Sequence, residues 1–137
     1  MQPEQMNVVL TGACGGIGQV LARQLAASGA SLYLCGRDGV TLASLQQELR
    51  AQACDGQIIE ARVVDLTDDA ATDQWLQSFD SVNHPVNVLV NNAGICKFEM
   101  FEQLSDRDIE QIMNLNSIVP MKLTRKLLSE MKRQPEA

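Results

Sequence analysis

Apolar residues in this chain fall into short unbroken runs, separated by longer stretches in which they recur every three or four positions. Asn7-Val8-Val9-Leu10 is the first run, and Ile17, Val20, Leu21 and Leu25 follow at helical spacing until Gly29 interrupts them. The alternation repeats. Ser31-Leu32-Tyr33-Leu34-Cys35 reads as a second strand, Gly36 to Gly39 as a turn, and Leu42, Leu45 and Leu49 as one helix face. After the Asp55-Gly56 break, the pattern predicts a third strand from Gln57 to Val64, then a helix carrying Trp75, Leu76, Phe79 and Val82 that His84-Pro85 terminates. A fourth strand is predicted over Val86 to Val90. The last helix starts at Ser105, its N-cap, with Asp108 as capping-box partner and Ile109, Ile112, Met113, Val119, Leu123, Leu127 and Met131 as its apolar stripe.

Strands that are apolar on both faces and alternate with helices require a parallel sheet, because right-handed crossovers cover each side with helices. The predicted class is α/β with a doubly wound parallel sheet, and residues 1–137 show no composition break that marks a domain boundary. Trp75, Phe79 and the leucine stripes are expected in the core. Asp68-Asp69 and Lys132-Arg133 are expected at solvated helix ends, and the tail from Lys132 to Ala137 is polar.

A formal net charge of -6 with a pI near 4.6 leaves no basic face for a phosphate backbone, so nucleic acid is not an expected partner. Cys14, Cys35, Cys54 and Cys96 form no Cys-x-x-Cys and His84 is the lone imidazole, so no metal site is expected. The N-terminus lacks a basic region followed by an apolar one, and no run reaches the roughly 18 apolar residues of a membrane span. A cytoplasmic protein with small-molecule ligands is expected, without membrane association.

Candidate chemistry concentrates where the first strand meets the first helix, at Thr11-Gly12-Ala13-Cys14-Gly15-Gly16-Ile17-Gly18. Glycines permit positive φ and a close ligand approach, and the helix N-terminus offers unpaired N–H groups with partial positive charge. A dinucleotide pyrophosphate suits that turn, the alternative being a tight βα turn with a conformational role only. The Gly-Lys-Ser/Thr of a P-loop is missing. Asn91-Asn92-Ala93-Gly94 ends the fourth strand, on the edge where open parallel sheets bind ligands.

Taken together, Thr11-Gly12-x-x-x-Gly16-x-Gly18, Asp65, Asn91-Asn92-Ala93-Gly94 and Asn116 resemble the classical branch of the short-chain dehydrogenase/reductase family over essentially the whole chain. Gly12, Gly15 and Gly18 also fit the epimerase-like branch, whereas the Asn-Asn-Ala-Gly run favours the classical one. The resemblance implies a Rossmann-type sheet in the order 3-2-1-4, with the family's strands 5 to 7 absent. Gly12, Cys14, Gly15, Gly16, Ile17 and Gly18 would form the cofactor cradle, and Asp65 and Leu66 would flank adenine. Asn91, Ala93 and Gly94 would support the middle of the cofactor, with Asn116 as the structural member of the catalytic tetrad. The implied reaction is hydride transfer between NAD(P)(H) and a ketone or secondary alcohol.

Gly36 occupies the place of the family's NAD-selecting acid and Arg37 resembles its NADP-type arginine, so NADP is favoured over NAD. Gly15, however, stands where many NADP enzymes carry a second basic residue, and Arg37 has the alternative of a solvated turn residue paired with Asp38. Pro120, four residues after Asn116, removes the N–H that would bond the Asn116 carbonyl. In the family that carbonyl holds a water of the proton relay; the alternative is a helix kink or the first turn of a second helix.

The family's serine and Tyr-x-x-x-Lys have no counterpart, since the one tyrosine, Tyr33, lies in the second strand. The expected reading is an N-terminal fragment of an oxidoreductase that binds nucleotide without turnover. A non-catalytic nucleotide-sensing or protein-interaction module is the alternative, with an epimerase-like enzyme less favoured. Lys97, Phe98, Met100 and Phe101 are candidates for a substrate entrance. With no fifth strand, the fourth becomes an open edge, and a homo-oligomer formed through it, or through the last helix that resembles the family's dimerisation helix, is expected.

Overall fold

The computed structural model describes residues 1–135; Glu136 and Ala137, the end of the polar tail, lie outside the described residues. Strands β1 (Asn7–Leu10), β2 (Ser31–Gly36), β3 (Ile59–Val63) and β4 (Val88–Val90) form one parallel sheet in the order β3-β2-β1-β4. Helices α1 (Gly16–Ala27), α2 (Gly39–Ala51), α3 (Asp69–Gln77), α4 (Asp106–Met113) and α5 (Val119–Met131) cover it. This is the doubly wound class read from the residue pattern and the strand order that the family resemblance implies, with β4 at the edge.

The period of two along each strand divides the core. Val8, Leu10, Leu32 and Leu34 pack with Ala22 of α1 and with Leu42, Leu45 and Leu49 of α2. Val9, Tyr33 and Cys35 point the other way, toward Trp75 of α3 and toward Val119, Leu123 and Leu127 of α5. Both sheet faces are dry, which is why the runs are continuous rather than alternating. Tyr33 stacks on Phe79 with centroids 4.1 Å apart, and Trp75 meets Phe79 edge-on at 5.2 Å. Burial pushes the Tyr33 phenol up to about 12, and its hydroxyl donates to His84 O at 3.4 Å. Tyr33 is a core residue.

Side-chain caps fix where helices begin. Asp38 accepts from the Val40 and Thr41 amides at the start of α2, and Asp68 accepts from Ala70 and Ala71 at the start of α3. Ser105 and Asp108 form the expected capping box.

The structure shortens several predicted elements. Gln57 belongs to a turn, not to a strand: its amide N donates to Cys54 O, and its Nε2 donates to Ala26 O and Ala30 O. The Ile58 amide bonds the Ser31 hydroxyl in place of a backbone carbonyl. At the start of β4, the Val86 amide donates to Glu130 Oε1 of α5, and Asn87 ties the entrances of β1 and β4 through Asn7 N and Gln5 O. The third helix ends at Gln77, leaving Val82 in a loop with 89% of its surface exposed. Bonds from the Asn83 amide and side chain to Asp80 shape that loop.

The long last helix is interrupted. A π-helical segment spans Asn114–Ile118, in which the Val119 N–H reaches back five residues to Asn114 O, and Pro120 sits in the first turn of α5. Pro120 has no N–H for the Asn116 carbonyl, and the wider turn before it accommodates that loss. Among the described residues, no helix is long and apolar enough to cross a membrane.

Leu123, 1% exposed, fills the α5 side of the sheet. Leu123→Ala is expected to lower unfolding free energy by about 2–5 kcal/mol in urea denaturation, whereas Val82→Ala changes it by less than about 0.5 kcal/mol.

Candidate functional site

All four strands point their C-terminal ends at one edge, and β2 and β4 lie on opposite sides of β1. Between β1 and β4, therefore, the chain switches winding direction and a crevice opens. Thr11, the residue after β1, bridges it. Its hydroxyl accepts from the Asn92 and Ala93 amides at 3.0 Å each and donates to Val90 O at 3.3 Å. Asn92 answers through Nδ2, which donates to Thr11 O at 3.0 Å and Gly12 O at 3.1 Å.

This closeness dictates glycine. Gly12 has φ +68°, and a Cβ there would stand 2.8 Å from Ala93 Cα. A Cβ on Gly18 would overlap Gly12 O, so α1 starts hard against the turn. Gly15 is the N-cap of α1 and supplies no side-chain cap, which leaves the first helical N–H groups without a side-chain partner. A Cβ on Gly16 would meet only open space. That combination of free donors, helix dipole and missing side chains fits a diphosphate.

The cleft in front of this turn has a volume of about 630 Å³, a size suited to an organic cofactor. Gly12, Cys14, Gly15, Gly16, Ile17 and Gly18 form its floor, Arg37, Asp65 and Leu66 one wall, and Ala93 and Gly94 the other. Asn91 lies outside the lining, with its side-chain amide turned toward Thr124 Oγ1 on α5 at 3.5 Å. Phe98, Met100 and Phe101 are exposed and also lie outside it. Lys97 is bonded to Asp108, whose carboxyl is drawn down to about 2 by Lys97 and Ser105.

Asn116 acts through its side chain on the loop after β4. Its Oδ1 accepts from the Ile95 amide at 2.9 Å, and its Nδ2 donates to Ile95 O at 2.8 Å. A Cβ on Gly94 would come within 3.2 Å of Asn116 Oδ1, so the clamp also constrains Gly94.

At the end of β2, the Cys14 thiol fills the space that a side chain on Gly36 would need and donates to Asp38 O at 3.3 Å. Asp38 is committed to capping α2, and among the described residues Arg37 has no ion-pair partner; the Arg37–Asp38 pairing considered from sequence does not form. Asp65 Oδ1 accepts from Thr67 N and Thr67 Oγ1, and those bonds, with the Arg37 charge behind them, hold its carboxyl below the usual range. Burial pushes the Cys35 thiol up to about 12, so it stays protonated.

Sequence reasoning did not assign roles to Thr11, Asn92, Thr67, Ile95, Gln111 and Leu115 in the site, although Thr11 and Asn92 stood inside the motifs named above. The Asp-x-Thr spacing of Asp65 and Thr67 is a readable turn signal. Gln111 and Leu115 reach the cleft only through the path of α4 and the π segment.

The fold and crevice define a Rossmann-type α/β domain. The family model for short chain dehydrogenase matches residues 6–137, and the chain belongs to that family, as an N-terminal portion of it. Gluconate 5-dehydrogenase of Gluconobacter oxydans is 34% identical over 110 residues, covering 80% of this chain and 42% of that protein. Dehydrogenase/reductase SDR family member 7B of Bos taurus is 38% identical over 134 residues, covering 93% and 40%. The chain thus spans less than half the length of these two relatives. Among solved structures, a blue fluorescent protein from a metagenomic library, in complex with NADPH, superposes with a TM-score of 0.83 at 29% identity, over 96% of this chain and 53% of that one. A short-chain dehydrogenase from Sphingobium yanoikuyae, also in complex with NADPH, gives 0.80 at 30% identity, over 93% and 49%.

Gly18→Ala should destabilise the fold by about 1–3 kcal/mol in thermal or urea unfolding, because backbone must shift to admit the methyl group. Gly16→Ala, in open space, is expected to cost less than about 0.5 kcal/mol.

Proposed function

We propose that this chain is the NADP(H)-binding part of an oxidoreductase that moves hydride between the cofactor and a small ketone or secondary alcohol. The observation that carries the reading is the uncapped glycine turn at the head of α1, facing a cleft with the unpaired Arg37 at its rim. Residues 1–137 form the nucleotide-binding unit in this account. NADPH, when bound, supplies the hydride.

The chain's own residues bind and orient. Amides of Gly16, Ile17 and Gly18 donate to the pyrophosphate, and Arg37 neutralises the 2′-phosphate, a role for which its lack of an internal partner leaves it available. Asp65 and Leu66 border the adenine, while Ala93 and Gly94 support the middle of the cofactor. Asn116 is a positioning residue here: its amide fixes Ile95 and thereby the wall along which the nicotinamide half extends. Its carbonyl, denied the Pro120 N–H, is the acceptor that would hold a relay water.

Carbonyl reduction also requires a proton donor for the developing alkoxide, with a pKa near the working pH. The single tyrosine, Tyr33, is buried with its phenol raised to about 12, and no Tyr-x-x-x-Lys occurs in residues 1–137. The reading therefore assigns binding to this chain and turnover to a longer polypeptide. NAD-type use of the same site is the second cofactor choice. Self-association through the open β4 edge or α5 belongs to the same account, and a stable monomer in light scattering at high concentration counts against it.

Titration calorimetry is expected to give tighter binding for NADPH than for NADH. Arg37→Asp should weaken NADPH by about 10-fold or more and leave NADH nearly unchanged, in line with loss of a charge-assisted phosphate contact of about 1.5–3 kcal/mol. Tighter NADH in the unaltered chain overturns the NADP(H) assignment, and measurable carbonyl reduction by the purified 137-residue chain overturns the division of labour.

A further inference from the structure

The cleft contains a polar side chain with no assigned role. Gln111 projects from α4 into its lining, and among the described residues its side-chain amide has no hydrogen-bond partner. Four residues later, Leu115 is buried in the same packed cluster as Val64 and Leu66, and all three also line the cleft. Gln111, an exposed residue, shares the lining of the cleft with Val64, Asp65 and Leu66, the residues that follow β3. Asp65, in that lining, engages Thr67 through Oδ1, and among the described residues Oδ2 has no hydrogen-bond partner.

The placement of the base follows from the cleft itself. With the pyrophosphate at the α1 turn and the adenosine ribose beside Arg37 at the end of β2, the base continues to the end of β3. There Leu66 and Leu115 supply apolar surface, Asp65 Oδ2 is an acceptor, and Gln111 offers an acceptor and a donor side by side. We propose that Gln111 reads the N6/N7 edge of the adenine, its Oε1 accepting from the exocyclic amine and its Nε2 donating to N7. A glutamine amide matches adenine in this bidentate manner. On that edge hypoxanthine, with a carbonyl in place of the amine, presents two adjacent acceptors, O6 and N7, and keeps only one of the two bonds. Gln111 is therefore a base-specificity residue, which the glycine turn and Arg37 are not, since they meet phosphates.

This inference rests on the dinucleotide reading above, and the test separates the two. NADP+ and its hypoxanthine counterpart are titrated calorimetrically into the 137-residue chain and into Gln111→Leu and Gln111→Glu, with circular dichroism confirming that each variant is folded. The unaltered chain is expected to prefer the adenine form by about 10-fold. Gln111→Leu should weaken NADP+ by roughly 5- to 10-fold and the hypoxanthine form by no more than about 2-fold, and Gln111→Glu, which keeps the oxygen that accepts from the exocyclic amine, should keep an adenine preference. An undiminished adenine preference in Gln111→Leu, or equal weakening of both dinucleotides, overturns the role of Gln111 while leaving the site reading intact. Failure of the unaltered chain to bind either dinucleotide overturns the site reading and this inference together.

Discussion

The crevice depends on one hydroxyl. Strands β1 and β4 are in register for only three residue pairs, ending at Leu10 and Val90, and beyond them the two chains part. Thr11 Oγ1 takes the Asn92 and Ala93 amides at that fork, while Asn92 returns two bonds to the Thr11 and Gly12 carbonyls. Leaving those groups unpaired would cost about 1–3 kcal/mol each. The bridge sets how close Gly12 lies to Ala93, which makes glycine obligatory at Gly12, and Gly12 in turn sets where α1 can begin. Width of the cleft and direction of the helix dipole follow from the same contact.

Charge is distributed along the cleft in a way that suits an extended ligand with anionic groups at two places. Free helix-terminal amides occupy its middle and an unpaired guanidinium its rim. Asp65 is kept ionised by Thr67 at the far end, where a neutral base with donor groups is the matching guest. The loop after β4 is held from outside, by Asn116 on Ile95 and by Lys97 on Asp108, so that wall is fixed without side chains crossing the opening.

Much of this was legible in the residue pattern. Unbroken apolar runs marked the strands, recurrence every three or four positions marked the helices, and their alternation marked the doubly wound class, because both sheet faces are buried. The glycine turn was legible because four glycines, Gly12, Gly15, Gly16 and Gly18, stand within seven residues directly after an apolar run. What escaped was side-chain direction. Asn91 and Asn92 are neighbours of one type, yet one turns to Thr124 and the other to Thr11, a choice made by tertiary contacts. Gln57 looked like a strand residue because its role as a cap for the end of α1 depends on a chain segment about thirty residues away. The π segment was hidden for a related reason: Pro120 announces a lost hydrogen bond without saying whether the helix kinks, restarts or widens. Gln111 reaches the cleft from α4 and carries no local signal at all.

The central claim is that the glycine turn and the edge around it bind a nicotinamide dinucleotide. Backbone amide shifts of the isotope-labelled chain, followed by NMR during addition of NADPH, test it most directly. The account predicts the largest changes at Gly16, Ile17 and Gly18, with further changes at Arg37, Asp65 and Ala93. Unchanged amides at the turn under saturating NADPH, or changes confined to the opposite edge of the sheet, would contradict it.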